Sequence, residues 1–226
     1  IFGFLVARQA YQSALLAPLF IVLSFGWGLA VFLVVQATMY AWNRQALPTD
    51  IQRRLARLLG VFVAASLYLV AVYHMTNLYY ARQVDFEAFL LLGRGDGAGI
   101  FPLLFWGGYV LLGSVLPLLL LFGARPGGRR LLAAAALVVL GAFAWLVVFI
   151  IGGQAFPLEI LPGHQVSSSF GDGAIERYVP RLPEWLLGLG GVGAAFLLTT
   201  VGVRVLDFMP SDDFPAHDET AEGAPS

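Results

Sequence analysis

Apolar residues along this chain come in long unbroken runs separated by short polar stretches. The runs lie at about residues 13–40, 55–79, 100–122, 131–151 and 185–206. Each has the roughly 20 mostly apolar residues that a helix needs to cross a bilayer. They are too long for strands and lack the two-residue alternation of a barrel strand, so the pattern predicts about five spanning α-helices. Small residues recur inside them: Ser24, Gly26 and Gly28; Gly107, Gly108 and Gly113; Gly188, Gly190, Gly191 and Gly193. Such residues let helices approach closely. Pro117 removes one backbone donor from the third run and predicts a kink there.

Two connecting stretches have a character of their own. Val84 to Leu92 reads VDFEAFLLL, a short apolar segment with Asp85 and Glu87 at one end, suited to lying in the membrane interface. Residues 152–183 form a connection of about thirty residues without a spanning pattern, a length that usually signals function or disorder. Phe156, Leu158, Ile160, Leu161, Phe170 and Tyr178 within it predict an ordered loop packed against a partner. Residues 210–226 are acidic, proline-containing and weakly apolar, as a disordered tail would be. The expected organisation is a helical bundle over residues 1–209, then that tail.

Composition excludes several classes. Hydrophobic residues make up 59% of the chain and charged residues 12%. A soluble domain carries about 25% charged residues, so this is a membrane chain; its mean hydropathy of +0.80 agrees. With no cysteine there is no disulfide, no Cys-ligated iron–sulfur cluster and no thiol chemistry. A net charge of −1 argues against a nucleic-acid partner. All 13 basic residues are arginine, and their placement predicts orientation. Arg44, Arg53, Arg54 and Arg57 lie between the first two runs, and Arg125, Arg129 and Arg130 between the third and fourth. Both sets belong in the cytoplasm by the positive-inside rule. The opposite side mixes Arg82, Arg94, Arg177 and Arg181 with acids and is expected to be periplasmic, which leaves the tail cytoplasmic. Trp42, Trp106 and Trp185 fall near the predicted boundaries, as an aromatic belt would. The setting is a bacterial or archaeal cytoplasmic membrane, crossed several times. The chain opens on Ile1 without a signal-peptide pattern, which suggests that it starts inside a longer protein.

The densest polar chemistry sits at the end of the second run, in Tyr73, His74, Asn77, Tyr79, Tyr80 and Arg82. On a 3.6-residue period Ser66, Tyr73, Asn77 and Tyr80 share a face, with His74 beside them. Imidazole, carboxamide and phenol groups suit a quinone headgroup, whose two carbonyls accept hydrogen bonds and whose reduction takes up two protons. Histidine can move such a proton at working pH. The same groups equally suit a helix end, capping it and bonding to neighbouring helices. Haem ligation between two histidines is not supported, because His164 and His217 lie in a loop and in the tail. No histidine or carboxylate pair shows metal-ligand spacing. Gln36, Thr38, Tyr40 and Gln154 read as satisfied helix-end groups. Glu159, in an apolar stretch, suits either proton transfer or bonding to backbone amides.

Several segments, taken in order, resemble the NrfD/PsrC family of polysulfide-reductase-type membrane subunits. They are IFGFLVARQAYQSALLAPLF (1–20), YHMTNLYYAR (73–82), LLGSVLPLLLLF (111–122) and IIGGQAFPLEILPGHQVSSSFGDG (150–173), continuing as YVPRLPEWLLGLGGVG (178–193). The last two look most like the DsrP branch. The resemblance covers nearly everything but the tail. It implies an all-α integral membrane protein with eight to ten spanning helices in two bundles, of which this chain would be the C-terminal half. It also implies no haem, and electron exchange between membrane quinol and a periplasmic ferredoxin-like iron–sulfur subunit, in a sulfur-linked anaerobic respiratory complex with further subunits. In this chain His74, Asn77, Tyr80 and Arg82 are the candidate quinone-binding residues. Gln154, Glu159, His164 and Asp172 are the candidate contacts to the iron–sulfur partner. The family often has a Glu in the third helix of this half, near where this chain reads Gly107–Gly108–Tyr109, and its absence speaks against a proton path there. The rival readings are a structural anchor without chemistry and a transporter module. Charges gathered at helix ends, with no convincing internal repeat, disfavour the transporter.

Overall fold

The computed structural model describes residues 8–42, 49–95, 98–123, 128–157, 175 and 181–205. Among these there is no strand. The spanning helices are α1 (Leu16–Trp42), α2 (Thr49–Tyr79), α4 (Phe101–Phe122), α5 (Gly128–Ala155) and α6 (beginning at Leu182), each long and apolar enough to cross a membrane. Helix α6 ends at Val205. A short helix, α3 (Val84–Leu92), lies between α2 and α4. The chain divides into two compact units, residues 1–178 and 179–226. Helices α1 to α5 belong to the first and α6 to the second.

Helix α2 starts at Thr49, ahead of the apolar run. Arg53, Arg54 and Arg57 therefore form its opening turns. Arginine is a good helix former, and Asp50 in the first turn meets the positive end of the helix dipole. Its 31 residues span about 46 Å at 1.5 Å per residue, more than the ~30 Å hydrocarbon layer, so one charged end can stand in water.

Helix α4 is not uniformly α-helical. Leu104–Val115 is wound wider, and the Leu116 amide donates to the Leu111 carbonyl five residues back. Pro117 follows in the α-helical segment Leu116–Phe122. Wide winding beside a proline is one way for a helix to accommodate a missing donor. Helix α5 widens similarly at Val148–Gly152. The two helices touch through backbone, since a Cβ on Gly113 would lie 2.5 Å from the Gly141 Cα.

The first unit has two cores of different composition. One holds Ala30, Leu33, Ala56, Leu59, Val63, Leu131, Ala134, Ala135 and Val138, small and aliphatic side chains between α1, α2 and α5. The other is aromatic, with Tyr11, Tyr73, Phe86, Phe89, Phe101, Phe105, Tyr109, Trp145 and Phe149. Trp145 and Phe149 stack at 4.8 Å with planes 9° apart, and Phe20 meets both edge-on. The polar end of α2 stands against this aromatic core.

Candidate functional site

At Tyr80 the chain leaves α2, makes one tight turn at Ala81–Gln83 and enters α3. That reversal lays α3 across the end of α2 and turns Glu87 inward. Glu87 is 1% exposed. His74 Nδ1 lies 2.7 Å from Glu87 Oε2, and Asn77 Nδ2 donates to Glu87 Oε1 at 2.7 Å. His74 and Asn77 are three residues apart, so one helix face presents both to the same carboxylate. Burying a carboxylate is costly unless its oxygens are bonded, and here each has a partner. The His74 ring is held edge-on between Phe105, at 4.8 Å, and Tyr73, at 5.0 Å. Histidine and carboxylate thus share one proton along a short bond.

The segment before α1 forms the opposite wall. The Tyr73 hydroxyl donates to the Ala10 carbonyl at 2.6 Å. Tyr11 donates to the Ile150 carbonyl at 3.2 Å and packs edge-on against Phe149 at 5.3 Å. Arg8 Nη1 donates to the carbonyls of Gln154, at 2.6 Å, and Phe156, at 3.1 Å. Gly153 makes room for this turn, since a Cβ there would lie 2.8 Å from Ala10 Cβ. Burial raises the pKa of Tyr11, against the opposing pull of Arg8 and of a hydrogen bond with the Gln154 side chain.

Between this wall and the end of α2 lies a cavity of about 440 Å³. Gln12, Ser13, Thr76, Asn77, Tyr80 and Gln83 give it polar groups, and Ala14 and Leu15 give it apolar surface. Among the described residues no charged side chain lines it. Its size falls in the range of small-molecule sites. Asn77 belongs to both structures, lining the cavity while donating to Glu87.

The structure therefore brings His74 and Asn77 together through Glu87 and sets Asn77 and Tyr80 on the cavity. Tyr80 is 56% exposed. Arg82 falls in the turn Ala81–Gln83, with its side chain outside the described set. Gln154 lies apart, bound to Arg8 through its carbonyl and to Tyr11 through its side chain. Glu159, His164 and Asp172 lie outside the described residues, as does the tail 210–226. Among the described residues no three His, Asp or Glu side chains gather as a metal-binding group. Glu87, read from the sequence as one of several acids in a connecting stretch, is instead the buried centre of the cluster. Its signal was present: it sits among Phe86, Ala88, Phe89 and Leu90, all buried, where a lone carboxylate requires partners. Gln12, Ser13 and Gln83 carried no such signal.

This is a multi-pass, all-α integral membrane protein with a buried polar cluster at one helix end. The family model for polysulphide reductase NrfD matches residues 1–158, and the chain belongs to that family. It is similar to a protein of Archaeoglobus fulgidus described as the Hdr-like menaquinol oxidoreductase integral membrane subunit, 27% identical over 215 residues. The match covers 93% of this chain and 53% of that relative, so the chain spans about half of the relative's length. No solved structure matches it.

Proposed function

We propose that this chain is part of the quinone-interacting membrane subunit of a respiratory oxidoreductase complex, and that the cavity at the end of α2 receives the quinol headgroup. The observation that carries this reading is the buried His74–Glu87–Asn77 cluster beside a cavity whose described lining is uncharged and hydrogen-bonding. Family membership and the name of the archaeal relative support it. Oxidation of a quinol releases two protons and two electrons. His74 and Glu87 supply a place for a proton next to the headgroup, and Asn77 and Tyr80 supply its hydrogen bonds. Arg82, in the adjoining turn, belongs to the same end of the helix.

The electrons pass to a ferredoxin-like iron–sulfur subunit on the periplasmic side, within a sulfur-linked, Dsr-type complex. The arginine distribution supports that orientation. The segment containing Gln154, Glu159, His164 and Asp172 is the proposed docking region for this subunit. The rival reading has its own observation: both oxygens of Glu87 are satisfied within the protein, so the cluster could serve only to strap α3 onto α2. His74→Ala separates the two. In the intact complex the quinone reading predicts a loss of quinol oxidation of at least about tenfold, within the usual range for removing a general acid or base. Unchanged turnover in a fully assembled complex leaves only the strap.

A further inference from the structure

We infer that Gln83 is a ligand-binding residue of the cavity, its Oε1 accepting a hydrogen bond from a hydroxyl of the bound headgroup. The inference rests on the quinol reading of the cavity and adds a residue and a chemical preference to it. Gln83 lies in the tight turn between α2 and α3 and is 5% exposed. Its Oε1 is buried and has no hydrogen-bond partner among the described residues. The same side chain lines the cavity. A buried carboxamide oxygen without a donor is costly, and most such groups in folded proteins find a partner or a water.

The chemistry of the missing partner follows. The oxygen needs a donor. A hydroquinone carries two hydroxyl groups and supplies one, whereas the oxidised quinone presents carbonyl oxygens, and two acceptors facing each other repel. Gln83 thus favours the reduced ligand. The turn's own bond runs from the Gln83 backbone N–H to the Tyr80 carbonyl, at 2.8 Å, and offers Oε1 no donor. The described lining of the cavity carries no charged side chain, which fits a neutral headgroup.

The test is equilibrium binding of menadiol and of menadione to the full-length protein in detergent, with wild type, Gln83→Leu, Gln83→Asn and Ala14→Trp compared. Ala14→Trp fills the cavity from the opposite wall and should abolish binding of both probes. Gln83→Leu should weaken menadiol by roughly tenfold, the loss of one hydrogen bond to a buried group, and menadione much less. Gln83→Asn keeps the carboxamide but withdraws it by one methylene, and should fall in between with the same ordering. Thermal transitions close to wild type show that the variants are folded. Menadiol affinity unchanged in both Gln83 variants, or equal losses for the two probes, overturns the role of Gln83 while leaving the cavity reading intact. No binding by wild type, or binding that survives Ala14→Trp, overturns the cavity reading and this inference together.

Discussion

Glu87 has both oxygens bonded and, among the described residues, no basic side chain other than His74 against it. A carboxylate so placed depends on its neighbours, and they depend on it. The arrangement was half legible in the sequence. Tyr73, His74 and Asn77 stand out because polar groups in an apolar helix are rare and visible on one face. Glu87 stands out only as an acid among apolar neighbours, because its partners lie 10 and 13 residues away across a turn whose geometry no local pattern reveals. Tyr11 makes a separate prediction at this scale. Burial raises its pKa, so the neutral phenol is favoured in the folded protein. Its stabilisation is complete below the ordinary tyrosine value near 10 and is lost as pH rises above it, because the unfolded chain ionises first. Tyr11→Phe should therefore flatten the fall in thermal stability between about pH 9.5 and 11. An equally steep alkaline fall in the variant would show that Tyr11 is not its source.

Helices α4 and α5 meet through Gly113 and Gly141, and the contact leaves no room for a methyl group. Gly113→Ala should cost about 1–3 kcal/mol, the usual range for overpacking, read as a lower unfolding midpoint in detergent. Gly107→Ala is the control. Its Cβ would meet only Leu103 Cδ1 at 3.5 Å, an ordinary contact, and the variant should match wild type. Equal effects from the two would contradict the packing described. The helices as elements were legible from their apolar runs, because length and composition suffice to mark a spanning segment. Which glycine faces which helix was not, since five runs of similar composition give no pairing. Nor was the wide winding of Leu104–Val115, for which Pro117 gave only the position of a break. The start of α2 also lay beyond the hydropathy signal. Arginine interrupts an apolar run but not a helix.

For the whole molecule, the sidedness of the cavity decides which soluble subunit can reach it. Arg53 and Arg94 are both exposed, and α2 crosses the bilayer between them. The sequence has no cysteine of its own, so an introduced thiol adds one defined site within it. Arg94→Cys should react with a membrane-impermeant maleimide in intact cells, and Arg53→Cys only after the membrane is opened. The reverse pattern would place the cavity on the cytoplasmic side and move the proposed iron–sulfur partner with it. The central claim is narrower and can be tested directly. It is that the buried cluster works in quinol oxidation and does not merely hold α3 in place. Steady-state menadiol oxidation by the intact complex carrying Glu87→Gln is the measurement. The substitution keeps the shape of the side chain, exchanges one accepting oxygen for a donating amide that Asn77 can meet by turning its own carboxamide, and removes the ability to take a proton. Turnover should fall by at least about tenfold while the complex assembles and unfolds as wild type does. Wild-type turnover in the assembled variant would contradict the claim.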